Sequence, residues 1–132
     1  MIGPVSMTNH EQTVLHNIER GIAIVTLNRP DARNALNTAL LSRLITSLNT
    51  LAAESSLRCL VITGSGDKAF CAGADLSALG TAAEEGLLGI YDGFMAIANC
   101  TLPTVAAVNG AAVGAGLNLA LDVAVGNPRA PL

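Results

Sequence analysis

The stretch LVITGSGDKAFCAGADLSAL, residues 60–79, joins a short apolar run to a corner made of very small residues. The apolar run is closed by Gly-Ser-Gly-Asp, and this pattern predicts a strand inside a sheet that is covered on both faces. At the corner, Ala72, Gly73 and Ala74 leave main-chain N–H and C=O groups uncovered by large side chains. We therefore expect a ligand to lie against the backbone of this corner.

A second corner of the same design lies in LPTVAAVNGAAVGAGLNLAL, residues 102–121. A predicted buried strand passes here through glycines into a helix, whose first amides have no partner within the helix. Two such corners brought together would stabilise an oxygen that becomes negative during a reaction, by ~3 to 4 kcal/mol per donor. Turn geometry or close packing is the alternative use of these glycines. Leu119 stands where a G-x-G-x-x-G dinucleotide motif needs its third glycine.

The segments around the corners alternate between strand and helix patterns. Residues 13–27 indicate a β-hairpin around Glu-Arg-Gly. From Thr38 to Glu54, apolar residues recur at spacings of three and four behind a capping Asn37, which predicts an amphipathic helix. A second helical segment covers residues 81–100. The order hairpin, helix, strand, helix, strand, helix predicts an α/β layer architecture.

Composition and charge exclude several classes of partner and site. The net charge is −3 and the seven Lys and Arg residues are scattered, so we expect neither nucleic acid nor an anionic membrane surface as a partner. No apolar run reaches the ~20 residues of a membrane span, and the N-terminus has no secretory pattern, so we predict a cytoplasmic protein. Three cysteines without paired spacing predict neither a disulfide framework nor a metal site.

With LNRPDARNALN at residues 27–37, the two corner segments form three motifs in a fixed order. Together they resemble the N-terminal half of the crotonase superfamily, the enoyl-CoA hydratase/isomerase family, over about residues 13 to 121. The resemblance implies a truncated crotonase-like β/α spiral that opens with a hairpin. It divides the chain into an N-terminal tail, a partial acyl-CoA-binding domain and an off-pattern C-terminal tail, at residues 1–12, 13–125 and 126–132.

The resemblance also implies a substrate and assembly. An acyl-CoA thioester would bind, with coenzyme A as part of the substrate and no prosthetic group, in the lyase and isomerase chemistry of fatty acid metabolism. The family forms trimers or hexamers, so we expect a homo-oligomer or a complementing chain. Because about half of the spiral is missing, we also expect one sheet face to remain uncovered.

Two groups of site residues follow from the resemblance. The family's oxyanion-hole amides fall on Ala74 and Ala115, and alanine at the second position requires a negative φ. The positions that bind coenzyme A, among which Arg33 would reach a phosphate, fall on Arg33, Ala35, Ala72, Gly73, Ala74, Asp75 and Leu76.

The acid/base pair of the hydratases is not carried by this sequence. The first glutamate position falls on Asn118. Its side-chain amide cannot act as an acid or a base near pH 7, although it would position a water or a carbonyl. A local hydrogen bond in the first helical turn is the alternative role. The second glutamate would lie beyond Leu132. We therefore expect little turnover by the isolated chain.

Other ionisable residues are weaker candidates. Asp75 more plainly fixes its own loop, and Asp122 lies two residues before the family's usual aspartate. Glu84 and Glu85 border the acyl pocket in relatives, but a solvated helix face is the commoner explanation for such residues. His10 and His16 lie far from both corners in sequence, and we predict no catalytic role for them.

Two further functions stay open. A non-catalytic acyl-CoA-binding or regulatory protein would use the same amides without a reaction. An unrelated nucleotide-binding α/β domain is disfavoured, because no glycine-rich turn directly follows the first strand.

Overall fold

The computed structural model describes residues 12–75 and 83–125, apart from the side chains of 83–87, 122, 124 and 125. Residues 1–11 of the predicted N-terminal tail, the whole predicted C-terminal tail at 126–132, and Leu76 lie outside these residues. Strands and helices alternate, which confirms the predicted α/β class. The elements are strands β1 (Val14–Glu19) and β2 (Ile22–Leu27), a 3-10 turn (Pro30–Ala32), helix α1 (Thr38–Ala52), strands β3 (Cys59–Gly64) and β4 (Ala69–Cys71), helix α2 (Ala83–Ala98), strands β5 (Thr104–Ala107) and β6 (Ala111–Ala112), and helix α3 (Ala115–Val125).

The main sheet has the strand order β1-β2-β3-β5. Strands β1 and β2 form the predicted antiparallel hairpin, and its two turn residues, Arg20 and Gly21, have φ of 54° and 79°. Positive φ at both turn residues gives the backbone twist that a two-residue hairpin requires. The pairs β2–β3 and β3–β5 are parallel, so their carboxyl ends meet at one edge of the sheet.

Helix α1 covers one face of this sheet. It begins where the sequence predicted, because the side chain of Asn37 accepts a hydrogen bond from the amide of Leu40 at 2.8 Å. Its five buried residues are all leucines at helical spacing: Leu40, Leu41, Leu44, Leu48 and Leu51. They pack into one core with the inward residues of β2 and β3.

The other face of the sheet is less covered, and here the predicted burial of the strands was wrong. Burial in β3 alternates, with Leu60 and Ile62 buried but Val61 only half-buried. Strand β5 was expected to be buried, yet Val105 is 49% exposed. The physical reason is that, among the described residues, helices pack against one face only and β5 lies at the sheet edge. An uncovered face was itself expected from the resemblance.

A second, very small sheet pairs β4 with β6 in parallel. An isolated bridge between Leu36 and Ala74 continues it toward α1. The sequence did not predict these elements, because strands of three and two residues show no measurable alternation. They join the two small-residue corners.

Candidate active site

The two corners are in direct contact. Strand β4 leads into the first corner and β6 into the second, and the amide of Val113 donates to the carbonyl of Cys71 at 3.1 Å. A Cβ added to Gly73 would lie 3.0 Å from the carbonyl oxygen of Val113 and 3.8 Å from the nitrogen of Ala115. A Cβ on Gly116 would overlap the Cys71 carbonyl. Glycine is therefore needed at both positions for the corners to approach.

The amide of Ala74 points away from the segment that holds it. The carbonyl of Gly73 accepts a hydrogen bond from Leu36 at 2.7 Å, and the amide of Asp75 donates to the carbonyl of Leu36 at 2.8 Å. Because the Gly73–Ala74 peptide is trans and planar, its N–H points opposite to its bonded C=O. Within residues 12–75 and 83–125, the Ala74 amide donates no hydrogen bond.

The amide of Ala115 is the first of helix α3. The next three amides all donate hydrogen bonds within this turn. The amide of Gly116 donates to the carbonyl of Val113, and the amides of Leu117 and Asn118 donate to the carbonyl of Gly114. Gly114 takes the left-handed conformation with φ of 55°, and Ala115 is not among the described non-glycine residues with positive φ. Alanine at position 115 therefore carries no backbone strain. In the described part of the chain its amide also has no acceptor.

The loop before α1 is fixed by Asn34, which is completely buried and has φ of 59°. Its Nδ2 donates to the carbonyls of Ser65 and Ala69, each at 3.0 Å, and its Oδ1 accepts from the amide of Arg29 at 2.9 Å. From its residue type alone, asparagine at position 34 indicates only a turn. The signal available was asparagine's tolerance of the left-handed region combined with its double hydrogen-bonding capacity.

Asn109 performs a similar task on the loop after β3. Its Oδ1 accepts from the amide of Gly64 at 3.0 Å, and its Nδ2 donates to the carbonyls of Gly66 and Ala69 at 3.0 and 3.2 Å. No distinct signal in the sequence marks it, since an asparagine before glycine is typical of any turn. Both asparagines bond to Ala69, which opens β4.

The predicted coenzyme A residues lie on neighbouring segments. The carbonyl of Ala35 accepts from Arg29 Nη1 at 2.6 Å, and the amide of Ala72 donates to the carbonyl of Arg33 at 3.0 Å. Arg33 is exposed and lines a cleft of about 220 Å³. Lys68 lines the same cleft, as do Asp31 and Asp67, so its charges are mixed.

The remaining candidates are less informative. Asn118 is exposed, and its side chain makes no hydrogen bond among the residues that the structure describes. The side chains of Glu84, Glu85 and Asp122, and all of His10, lie outside those residues. His16 is exposed on β1, at the edge of the main sheet remote from β4 and β6.

Cys71 ends β4 beside the first corner. Burial raises the pKa of its thiol, an effect that a hydrogen bond from the Gly73 backbone opposes in part. The thiol is therefore held neutral near pH 7. In the described part of the chain no group of three metal-ligating side chains occurs. No helix there is both long and apolar enough to cross a bilayer.

Comparison with known proteins places this geometry in a family. A family model described as enoyl-CoA hydratase/isomerase matches residues 17–127. The chain belongs to the enoyl-CoA hydratase/isomerase family. This confirms the resemblance read from the three motifs. The chain is 50% identical over 123 residues to a probable enoyl-CoA hydratase of Mycobacterium tuberculosis, and the match covers 89% of this chain and 48% of that protein.

Other members of the enoyl-CoA hydratase/isomerase family show the same partial coverage. A probable enoyl-CoA hydratase of Rhodobacter capsulatus is 46% identical over 113 residues, which are 83% of this chain and 43% of that one. The crystal structure of an enoyl-CoA hydratase from Bacillus anthracis matches with a TM-score of 0.81 at 31% identity, covering 84% of this chain and 45% of that chain. The chain thus spans about half the length of these relatives.

Proposed function

We propose that this protein binds an acyl-CoA thioester and polarises its carbonyl with the amides of Ala74 and Ala115. The observation that carries the proposal is the contact between the two corners, each of which offers an amide without an acceptor in the described residues. Each such donor stabilises a developing oxyanion by ~3 to 4 kcal/mol. The first amides of a helix add a favourable dipole.

The reaction that this arrangement supports is formation of a thioester enolate. Loss of a proton from the acyl chain places negative charge on the carbonyl oxygen, where the two amides bond to it. Hydration additionally needs an acid and a base, and Asn118 supplies neither near pH 7. Isomerisation, with its base on another segment or subunit, therefore fits these residues better than hydration.

The coenzyme A moiety would lie along the main chain of the neighbouring segments. Ala35 and Ala72 present backbone groups for the adenine, and Leu76 belongs to the same proposed set. Gly73 and Asp75 continue the backbone path to the thioester. Exposed Arg33 would pair with a phosphate at the mouth of the adjacent cleft. A cytoplasmic location and a role in fatty acid metabolism are part of this proposal, and no prosthetic group is required.

Exposed apolar side chains support a proposal about assembly. Residues 102–121 contain no charged residue. Among them Val105, Val113 and Leu121 are 49%, 56% and 51% exposed. Parallel strands are ordinarily covered on both faces, so an exposed valine on β5 indicates a surface made for burial. We assign this surface to polypeptide equivalent to the other half of the relatives, or to further copies in a trimer or hexamer.

A titration with a short acyl-CoA tests the carbonyl site. Labelling the alanines alone with ¹⁵N gives separate amide signals for Ala74, Ala115 and Ala98, the last at the far end of α2. We expect the first two signals to shift downfield with one common affinity while Ala98 stays unmoved. Binding that leaves both signals unmoved would contradict the carbonyl site.

The second candidate is a non-catalytic acyl-CoA-binding or regulatory protein, which Asn118 favours because it replaces a proton-transferring group. Exchange of the acyl Cα hydrogens in D₂O, followed by mass spectrometry, separates the two functions. An enzyme that forms an enolate exchanges these hydrogens faster than buffer does. A binder that holds the thioester without reaction leaves their exchange rate unchanged.

A further inference from the structure

Arg29 follows strand β2 and bonds to both segments of the candidate site. Its Nη1 donates to the carbonyl of Ala35 at 2.6 Å, and its Nη2 lies 3.1 Å from Asp75 Oδ2 in an ion pair. The side chains of Arg29 and Asp75 are only 19% and 17% exposed, so water screens this pair less than a surface pair. Arg29 thus links the loop before α1 to the first corner.

The contact with Asp75 acts on the peptide next to it. Leu36 already forms a hydrogen bond on each side of Ala74. Its amide donates to the carbonyl of Gly73, and its carbonyl accepts from the amide of Asp75. The direction of the Ala74 N–H changes only if the backbone dihedral angles around it change. By holding the side chain of Asp75, Arg29 adds a third restraint on that direction.

The guanidinium group suits this task better than an ammonium group. Its two terminal nitrogens diverge in one plane, so one side chain bonds to a carbonyl and a carboxylate at the same time. Arg29 is itself restrained, because its amide donates to the buried Asn34. Through Asp75 and Arg29, the direction of the Ala74 amide is therefore tied to a completely buried residue, Asn34.

We propose that Arg29, acting through Asp75, is a positioning residue that aims the Ala74 amide at the thioester carbonyl. This inference rests on the proposed function of Ala74 and Ala115. Arg29 does not contact the ligand. Its effect is confined to the part of the binding energy that depends on the carbonyl oxygen.

The test compares butyryl-CoA with S-butyl-CoA, a thioether that has the same coenzyme but no carbonyl oxygen. Isothermal titration of the unmodified chain should show a preference for the thioester of about threefold to tenfold, the value of one or two neutral hydrogen bonds. In Asp75→Asn the ratio of the two affinities should fall below twofold. Asp75→Asn keeps the contact between Arg29 and Ala35, so it tests only the contact of Arg29 that acts on Ala74.

Arg29→Lys should also lower the preference. The double variant should lower it no further, because each single change removes the same contact between Arg29 and Asp75. Arg58→Gln is the matched control. Arg58 also donates to a backbone carbonyl, that of Arg20 at 2.9 Å, but at the opposite end of the sheet. It should leave the preference unchanged.

The infrared stretch of a ¹³C-labelled thioester carbonyl gives a readout that does not depend on affinity. Bound to the unmodified chain it should shift to lower frequency, and this shift should shrink in Asp75→Asn. Equal weakening of both ligands, with the shift intact, would reduce Arg29 to a structural role and overturn the inference. If the unmodified chain shows no preference and no shift, the proposed carbonyl site itself fails.

Discussion

The α-carbon of Gly116 lies against the carbonyl oxygen of Cys71, with no room for a methyl group between them. We predict that Gly116→Ala destabilises the fold by about 1 to 3 kcal/mol or more, because the blocking atom is backbone that also accepts from Val113. Gly89→Ala is a matched control of opposite sign. The added methyl would meet only Leu41 at 3.8 Å, and replacing glycine within a helix stabilises by up to about 1 kcal/mol. Urea denaturation of both variants measures the difference.

Ala115→Pro should remove one proposed donor while the helix survives. Proline is tolerated at the first helical position because the amide there has no helical acceptor. We expect the affinity for butyryl-CoA to fall at least threefold with little change in helical circular dichroism. Thr38→Pro makes the same change at the start of α1, behind extended Asn37, and should leave the affinity intact. An unchanged affinity in Ala115→Pro would contradict the role of this amide.

Asn34→Ala should be among the most destabilising single changes outside the apolar core. It leaves the carbonyls of Ser65 and Ala69 without this donor and puts alanine at a φ of 59°. We expect a loss of about 2 to 4 kcal/mol. Asn34→Gly removes the side-chain bonds but not the conformational tolerance, so it should lose less. Equal losses in the two variants would mean that the positive φ contributes nothing.

Stability should fall at alkaline pH through Cys71. Burial raises the pKa of this thiol, so the folded chain keeps a proton that the unfolded chain releases above about pH 8.5. The stabilisation is complete below that pH and is lost as pH rises through the folded-state pKa. Urea denaturation of the parent and of Cys71→Ala from pH 7 to 10 should give curves whose separation changes above pH 8.5. A constant separation would be evidence against the shift.

Val105→Lys should reduce self-association. Val105 is 49% exposed on edge strand β5, and a lysine on an edge opposes pairing with another chain. We expect less light scattering at equal concentration and a similar melting temperature. Asn17→Lys, on the opposite edge strand β1, adds the same charge to a polar surface and should change scattering little. Equal effects would indicate that net charge matters and the apolar surface does not.

The regular elements were predictable because their signals are local and repeated. Five leucines at helical spacing and the cap at Asn37 defined α1, and Arg20 and Gly21 marked the hairpin turn. Burial was less predictable, since an apolar strand looks the same whether or not a second layer covers it. Val105 shows this: its residue type predicts burial, and the neighbouring layers determine whether burial occurs.

Only part of the candidate site could be predicted. The small residues around Gly73 and Gly116 signalled close approach, but not what approaches. The supporting contacts of Asn34, Asn109 and Arg29 join segments 31 to 46 residues apart in the chain. No local periodicity carries such pairings. They follow from the strand order, which brings the carboxyl ends of β2 and β3 to one edge of the sheet.

The sheet formed by β4 and β6 has further consequences for motion. Both proposed donors are attached to strands of only three and two residues. A fluctuation that separates these strands would move the two donors apart in a single event, since β4 and β6 pair only with each other among the described strands. A bound thioester would oppose that fluctuation, so ligand binding and the local opening of the two strands are thermodynamically coupled.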